Sequence, residues 1–238
     1  RVSAANRLGE EGEGFKIALN ILNTGRIKLS AGAIGGSKFA ISRAVEYANQ
    51  REQFGKPISS FGAMQYKIGE MVTRVFATES AIYRTGSNID KKQEEFVQQG
   101  MEKSQAKLQA VREFAVECAI LKVVGSDVLD YVVDEALQMH GGMGYAVETG
   151  IEMGYRDARI TRIYEGTNEI NRLLSVAELT RRALKTKEVD LIGAGKKLPG
   201  LFVKQLLPFK SKNGFDQERR IVQNIKAAFL LISGAAGN

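Results

Sequence analysis

The stretch EGFKIALNILNTGRIKLSAGAIGGSKFAISRAVEYANQ, residues 13 to 50, sets the fold. Phe15, Ala18, Leu19, Leu22, Ile27, Ala31, Ile34, Ala40, Ile41, Ala44, Val45 and Ala48 recur mostly at steps of three and four, the period of one helix face. This spacing predicts a single helix over 13–50, with a break near Gly25 as the alternative. The glycines at 25, 32, 35 and 36 each cost a helix up to about 1 kcal/mol relative to alanine. They are expected where a neighbouring helix comes close.

The chain beyond keeps the same character. After Pro57 the next proline is Pro199, so a long interval holds no residue barred from a helix interior. REQFGKPISSFG (51–62) reads as a loop of turn and cap residues. A second helix is expected from about Ser60 to Ile89, ended by DKKQEE, and a third from about Phe96 to Val124, broken by Gly125 and Ser126. A fourth is expected from about Asp127 to Met139, ended by the GGMG of 141–144, and a shorter one from Thr167 or Asn168 to about Lys185. Helical spacing returns from Gln217 to Ile232.

Long helices joined by short loops describe an all-α fold, an up-and-down four-helix bundle with an additional partial helical segment at the C-terminus. Residues 1–9 lack a helical period and are expected to be the end of a preceding β-domain. Residues 10–185 form the bundle. The shift to glycine, proline and lysine after Lys185 marks 186–238 as the start of an extra helical domain.

Composition narrows the function classes. With 44% hydrophobic and 26% charged residues over 238 positions, the chain can bury a core. One cysteine, Cys118, excludes an internal disulfide, and one histidine excludes a Cys/His zinc site, so no metal is expected. No run of eighteen apolar residues occurs. The chain opens on Arg1 without a signal-like segment, which is expected of a piece of something longer. A net charge of +7 permits anionic partners. The seven lysines of 185–212, interleaved with Leu198, Phe202, Leu206 and Phe209, suit peripheral membrane contact through 196–212, with a linker packed on its own domain as the alternative. Nucleic acid is not expected, because no aromatic residues alternate with the basic ones.

The common nucleotide signatures fail. GEGF (12–15) lacks the third glycine of the dinucleotide fingerprint, and GAGKK (193–197) has Asp190 where a phosphate loop needs glycine. His140, beside a glycine cluster, reads as a backbone-positioning residue. RIYEGTNEINRLL (162–174) carries the strongest signal: Glu165 lies just ahead of a helix cap, and Gly166 lets a ligand approach the backbone. A carboxylate in an apolar cleft suits abstraction of a carbon-bound proton. A solvated glutamate at a helix start is the alternative.

NRLGEEGEGF (6–15), AVEYANQREQFGKPISSFGAMQ (44–65), QMHGGMGY (138–145) and IYEGTNEI (163–170) together resemble the C-terminal half of the acyl-CoA dehydrogenases. The resemblance covers about residues 1–180. NILNTGR (20–26) and the segment beyond 185 look most like the very-long-chain branch. It implies that Glu165 is the base removing the α-proton of an acyl-CoA thioester while the β-hydrogen leaves as hydride to FAD. Gly166, Asn23 and Arg26 then match substrate-side positions, although Asn23 stands where several relatives carry an acidic residue. Thr167, Asn168 and Glu169 match flavin contacts. Arg51, Gln53, Phe54 and Gln65, with Gln138, Gly141 and Gly142, match positions on the pyrophosphate and adenosine of FAD, typically across a dimer interface.

The same resemblance implies dehydrogenation of long-chain fatty acyl-CoA in β-oxidation, electron-transfer flavoprotein as acceptor, and a homodimer or homotetramer. It implies the cytoplasm of a bacterium, with membrane association as an option, or the mitochondrion of a eukaryote. The family's N-terminal helical and middle β-domains are not in this chain, so the fragment alone is expected to be inactive. A non-catalytic scaffold or assembly factor of the same family is the competing reading.

Overall fold

The computed structural model describes residues 1–182 and 214–235. Helix α1 spans Gly14–Gln50 without interruption. A minimal antiparallel hairpin follows, β1 (Glu52–Gln53) and β2 (Lys56–Pro57), with Glu52 opposite Pro57 and Gln53 opposite Lys56. Then come α2 (Gly62–Gln98), α3 (Lys103–Glu113), α4 (Ala115–His140), α5 (Ile151–Ile160), α6 (Asn168–Arg181) and α7 (Asp216–Ala235).

Contacts divide the chain into Arg1–Val176 and Ala177–Asn238. In the first unit α1 and α4 run parallel: Ser30 bonds Leu121, Gly36 meets Leu129, and Tyr47 stacks on His140. Helix α2 runs the other way, pairing Lys67 with Glu135 and laying Arg74 over the Tyr131 ring. This is the alternation that up-and-down connectivity demands. The core between the rods uses small residues on α1 (Ala33, Ala40, Ala44, Ala48) against Val128, Leu129, Val132 and Val133 of α4 and Met71 of α2. Burying a side chain the size of Met71 is worth about 1.5–3 kcal/mol. In the second unit, Glu178 pairs with Arg181 and Arg182 in the last turn of α6.

The long first helix and the all-α bundle are as expected, but several boundaries differ. Helix α2 continues through DKKQEE to Gln98, because Lys, Gln and Glu are good helix formers and Phe96 packs on the cluster of Ile89, Val111 and Cys118. It stops at a Schellman motif: Gly100 is left-handed (φ 91°), its N–H bonds Val97 O, and Met101 N–H bonds Phe96 O. The expected break at Gly125 and Ser126 does not occur. A Cβ on Gly125 would stand 2.3 Å from Ser30 Oγ, so this glycine serves the close approach of α1 to α4 and lies inside the helix. The break falls at Phe114 (φ −98°, ψ 25°), which separates α3 from α4.

Of the α1 glycines expected to meet a neighbouring helix, Gly36 does so at 3.4 Å. Gly32 and Gly35 face open space, and Gly25 faces Glu165. Residues 1–9 hold a short 3-10 turn, Ala4–Asn6. Helix α5 was not foreseen, since only Ile151 and Ala158 are buried along it. The expected boundary after Lys185 and the membrane-contact segment 196–212 lie outside the described residues.

Candidate active site

The chain leaves α5 at Thr161 and must reverse within a few residues to enter α6. It does so through two successive left-handed residues, Glu165 (φ 56°) and Gly166 (φ 81°). A non-glycine residue in this region carries about 1–3 kcal/mol of strain and persists only where its surroundings enforce it. Here the surroundings are visible. Asn171, fully buried, aims Nδ2 at the backbone oxygens of Glu165 (3.3 Å), Gly166 (2.7 Å) and Thr167 (3.1 Å). Arg26 donates from Nε to the Glu165 carbonyl at 3.3 Å and from a terminal nitrogen to Asn23 Oδ1 at 2.8 Å. Thr167 caps α6, its hydroxyl accepting from Ile170 N–H at 3.3 Å.

The turn delivers the Glu165 carboxylate to Gly25. A Cβ at position 25 would lie 2.6 Å from Oε2 and 2.7 Å from Oε1, so only glycine leaves the carboxylate room. Oε2 is buried and has no hydrogen-bond partner. Arg26 is 4% exposed and Asn23 is 7% exposed. Burial pulls the Arg26 guanidinium down from its ordinary pKa, with the charge of Glu165 acting the other way. Because the guanidinium is spent on the Glu165 carbonyl and on Asn23, the nearest cation does not pair with the carboxylate. The backbone N–H of Glu165 likewise has no partner among the described residues.

The neighbouring positions divide by exposure. Glu169 is exposed, and its carboxyl sits below the usual range because it accepts from its own N–H and from Thr167. The Asn168 side chain points inward: Oδ1 accepts from Lys122 Nζ at 2.8 Å, and Nδ2 donates to Asp127 Oδ1 at 2.8 Å and Ser126 Oγ at 3.0 Å. Lys122 and Asn171 were not picked out from sequence, and Gly25 and Ser126 were read there only as helix-packing or helix-breaking positions. Polar residues inside a helical pattern read as solvent-facing, and only their partners reveal otherwise.

A second set of expected residues gathers at the far end of the rods. Phe54 (φ 53°) and Gly55 (φ 76°) form the two-residue turn of the hairpin. Phe54 is 92% exposed and touches Phe61 edge-on at 6.2 Å. Phe54 and Glu165 are the two non-glycine residues with left-handed backbone among those described. Arg51 and Gln53 are exposed beside Phe54, and Gln65 donates to Ser59 O at 3.3 Å. Gln138, Gly141 and Gly142 are exposed at the end of α4, and a Cβ on either glycine would meet nothing within 4 Å. His140 is buried, stacked on Tyr47 with centroids 4.2 Å apart, and Nδ1 lies 2.7 Å from Ala136 O, so that nitrogen carries the proton.

The structure therefore joins Asn23, Arg26, Glu165 and Gly166, with Thr167, Asn168 and Glu169 adjacent in the chain. Separately, Arg51, Gln53, Phe54 and Gln65 lie around the hairpin, and the Tyr47–His140 stack places the end of α4, with Gln138, Gly141 and Gly142, at the same end of α1. Arg26 and Arg51 stand 25 residues apart along α1 and its cap, about 37 Å at the rise of an α-helix. Among the described residues, no three His, Cys, Asp or Glu side chains group where they could hold a metal ion. No described helix is long and apolar enough to cross a membrane.

Comparison with known proteins gives concordant results. Residues 12–180 match the family model "Acyl-CoA dehydrogenase, C-terminal domain". The chain is 42% identical over 236 residues to a probable acyl-CoA dehydrogenase of Bacillus subtilis, covering 99% of this chain and 39% of that protein. It is 39% identical over 198 residues to the mitochondrial very long-chain specific acyl-CoA dehydrogenase of Rattus norvegicus, covering 83% of this chain and 27% of that one. A crystal structure of acyl-CoA dehydrogenase complexed with FAD from Bacillus anthracis superimposes with a TM-score of 0.92 at 39% identity, over 98% of this chain and 40% of that one. The chain thus spans about two fifths or less of the length of these relatives.

Proposed function

Since the chain belongs to the acyl-CoA dehydrogenase family, in its C-terminal domain, we propose that it supplies the catalytic base and part of the flavin site of an enzyme that introduces a double bond between Cα and Cβ of a fatty acyl-CoA. Glu165 takes the α-proton. Bound FAD would supply the redox chemistry, an acceptor for the β-hydrogen as hydride. The observation that carries this reading is the Glu165 carboxylate, set against Gly25 by a strained backbone with Oε2 buried and unpartnered. An orphaned acceptor in a buried position is costly in a merely structural residue and is what a base awaiting a proton requires.

The rest of the turn fits the task. The unpartnered Glu165 N–H is a donor available to a thioester oxygen, where charge grows as the α-proton leaves. Arg26 and Asn23 fix the turn without neutralising the base. At the other end, Gly141 and Gly142 leave their backbone open to close approach, and Arg51 is free in orientation for phosphate oxygens. The exposed, strained Phe54 is the wall such a cofactor would pack on. These residues fit FAD. Their separation from Glu165 supports a dimer in which the hairpin of one chain serves the flavin of the other.

Similarity to the rat very long-chain enzyme supports long acyl chains as substrates, with electron-transfer flavoprotein as the acceptor that reoxidises the flavin. Palmitoyl-CoA added anaerobically to the full-length protein should bleach the flavin band. Glu165→Gln should retain the flavin and slow bleaching about 10²–10⁴-fold, the usual weight of a positioned base. Bound FAD that never bleaches in the wild type would point instead to the non-catalytic scaffold. A colourless full-length protein would remove the flavin altogether.

A further inference from the structure

The bulkiest fully buried side chain among the described residues is a charged one, Lys122 on α4, with 0% of its surface exposed. An ammonium is put out of water at high cost unless it is paired, and an apolar chain of the same volume would pack there more favourably. Packing therefore does not account for it. Its contact does point somewhere: Nζ donates to Oδ1 of Asn168, the first residue of α6 and the third after Glu165.

The amide of Asn168 is held at both ends by groups of opposite kind. Lys122 can only donate and so must face Oδ1. The carboxylate of Asp127 only accepts, and Nδ2 reaches its Oδ1 at 2.8 Å while Arg172 holds its Oδ2 at 2.9 Å. Ser126 has one proton, which fits Val123 O at 2.9 Å, leaving its oxygen to accept from Asn168 Nδ2. Neither flip nor rotation of this amide keeps those bonds. The charges facing Lys122 come from Asp127 on its own helix, Glu169 on α6, Glu165 in the turn and Arg26 on α1; burial outweighs the three acids and lowers its pKa.

We infer that Lys122 is a positioning residue for Glu165: with Asp127 it clamps the Asn168 amide, fixes the first turn of α6, and so holds the left-handed Glu165 with its carboxylate at Gly25. This rests on Glu165 being the base. Asn171 grips the same turn from within α6, whereas the Lys122 clamp ties it to α4, the rod packed on α1 where Gly25 and Arg26 reside.

The test uses the full-length protein with FAD and the variant Lys122→Met, which keeps the volume and loses the charge. Flavin content and KM for palmitoyl-CoA should stay within twofold while kcat falls tenfold or more. Hydrogen exchange of the amides of 163–171, followed by mass spectrometry, should accelerate tenfold or more, with α1 and α2 unchanged. The double variant Lys122→Met/Asn168→Leu should be no slower than the worse single one, because both act through one link. Folded Lys122→Met with unchanged exchange at 163–171 and a rate within twofold of wild type overturns the inference. If Lys122→Met does not fold, Asp127→Ala, at a half-exposed position, removes the acceptor at the other end of the clamp and is expected to speed the same local exchange; no change there overturns the inference equally. Exchange needs no turnover, so it judges the clamp even if the wild type fails to bleach and the assignment of the base falls.

Discussion

At Gly25 one missing methyl group decides whether the Glu165 carboxylate can be where it is. Added there, a Cβ would overlap both carboxylate oxygens of Glu165, and the obstacle on the other side is a turn pinned by Asn171 and Arg26. We expect Gly25→Ala to keep the fold and the flavin, and to slow bleaching by acyl-CoA about 10²-fold, the penalty typical of a displacement near 1 Å. An anaerobic stopped-flow trace of the full-length variant checks this; an unchanged rate would mean that the carboxylate acts from another position. The thiol of Cys118, near Arg26, does not compete as a base. Burial, then the charge of Glu117, pushes the Cys118 thiol up to about 12, so it stays protonated. Glu165 was readable from sequence because it interrupts a pattern between two helices and is followed by glycine. Lys122 and Asn171 were not, because a buried lysine and a surface lysine look alike until their partners are known.

Helix α6 is strained at its start and electrostatically secured at its end. Glu178 accepts from Arg181 at 2.7–2.8 Å and from Arg182 at 3.1 Å, and these bonds, Arg181 foremost, bring its pKa from 4.5 to about 2. A carboxyl more acidic in the folded chain stabilises it fully above the ordinary value. That contribution fades as pH falls from 4.5 and is gone below about 2. A carbon-13 carboxyl titration of Glu178 should therefore show its midpoint near the lower figure, and Glu178→Gln should abolish the pH dependence of exchange in this last turn across that window. A midpoint at the ordinary value would mean that the arginines do not hold it in solution.

Elements were legible in proportion to their length. Helix α1 was read nearly to the residue, because it runs for 37 residues without proline and stops where the turn residues of the hairpin begin. The α3/α4 boundary was misplaced because Gly125 and Ser126 carry the usual marks of a break, yet serve to admit Ser30. The interruption at Phe114 involves neither glycine nor proline. Helix α5 is ten residues long between two irregular turns and buries only Ile151 and Ala158, too short a run for its spacing to stand out.

Across the whole molecule, the two sets of site residues are tied by α1 and held about 37 Å apart by its helical rise, with α4 parallel alongside. If the hairpin serves a second chain, defects can complement. A full-length Glu165→Gln chain paired with an Arg51→Ala chain should give one site with both defects and one with neither. Mixed dimers, isolated with two different tags, should regain about half the wild-type rate although each parent homodimer is nearly inactive. Mixed dimers no better than the parents would put both residues in one site of one chain.

The unbroken α1 also limits how such a chain can change length. One residue inserted between Gly35 and Gly36 would rotate everything beyond it by about 100° relative to what precedes, turning Arg51 and the hairpin away from their present direction while Arg26 stayed in place. Insertions and deletions are thus tolerable in the loops but not in this rod, whose residue count sets the register between the Glu165 turn and the hairpin beyond Arg51.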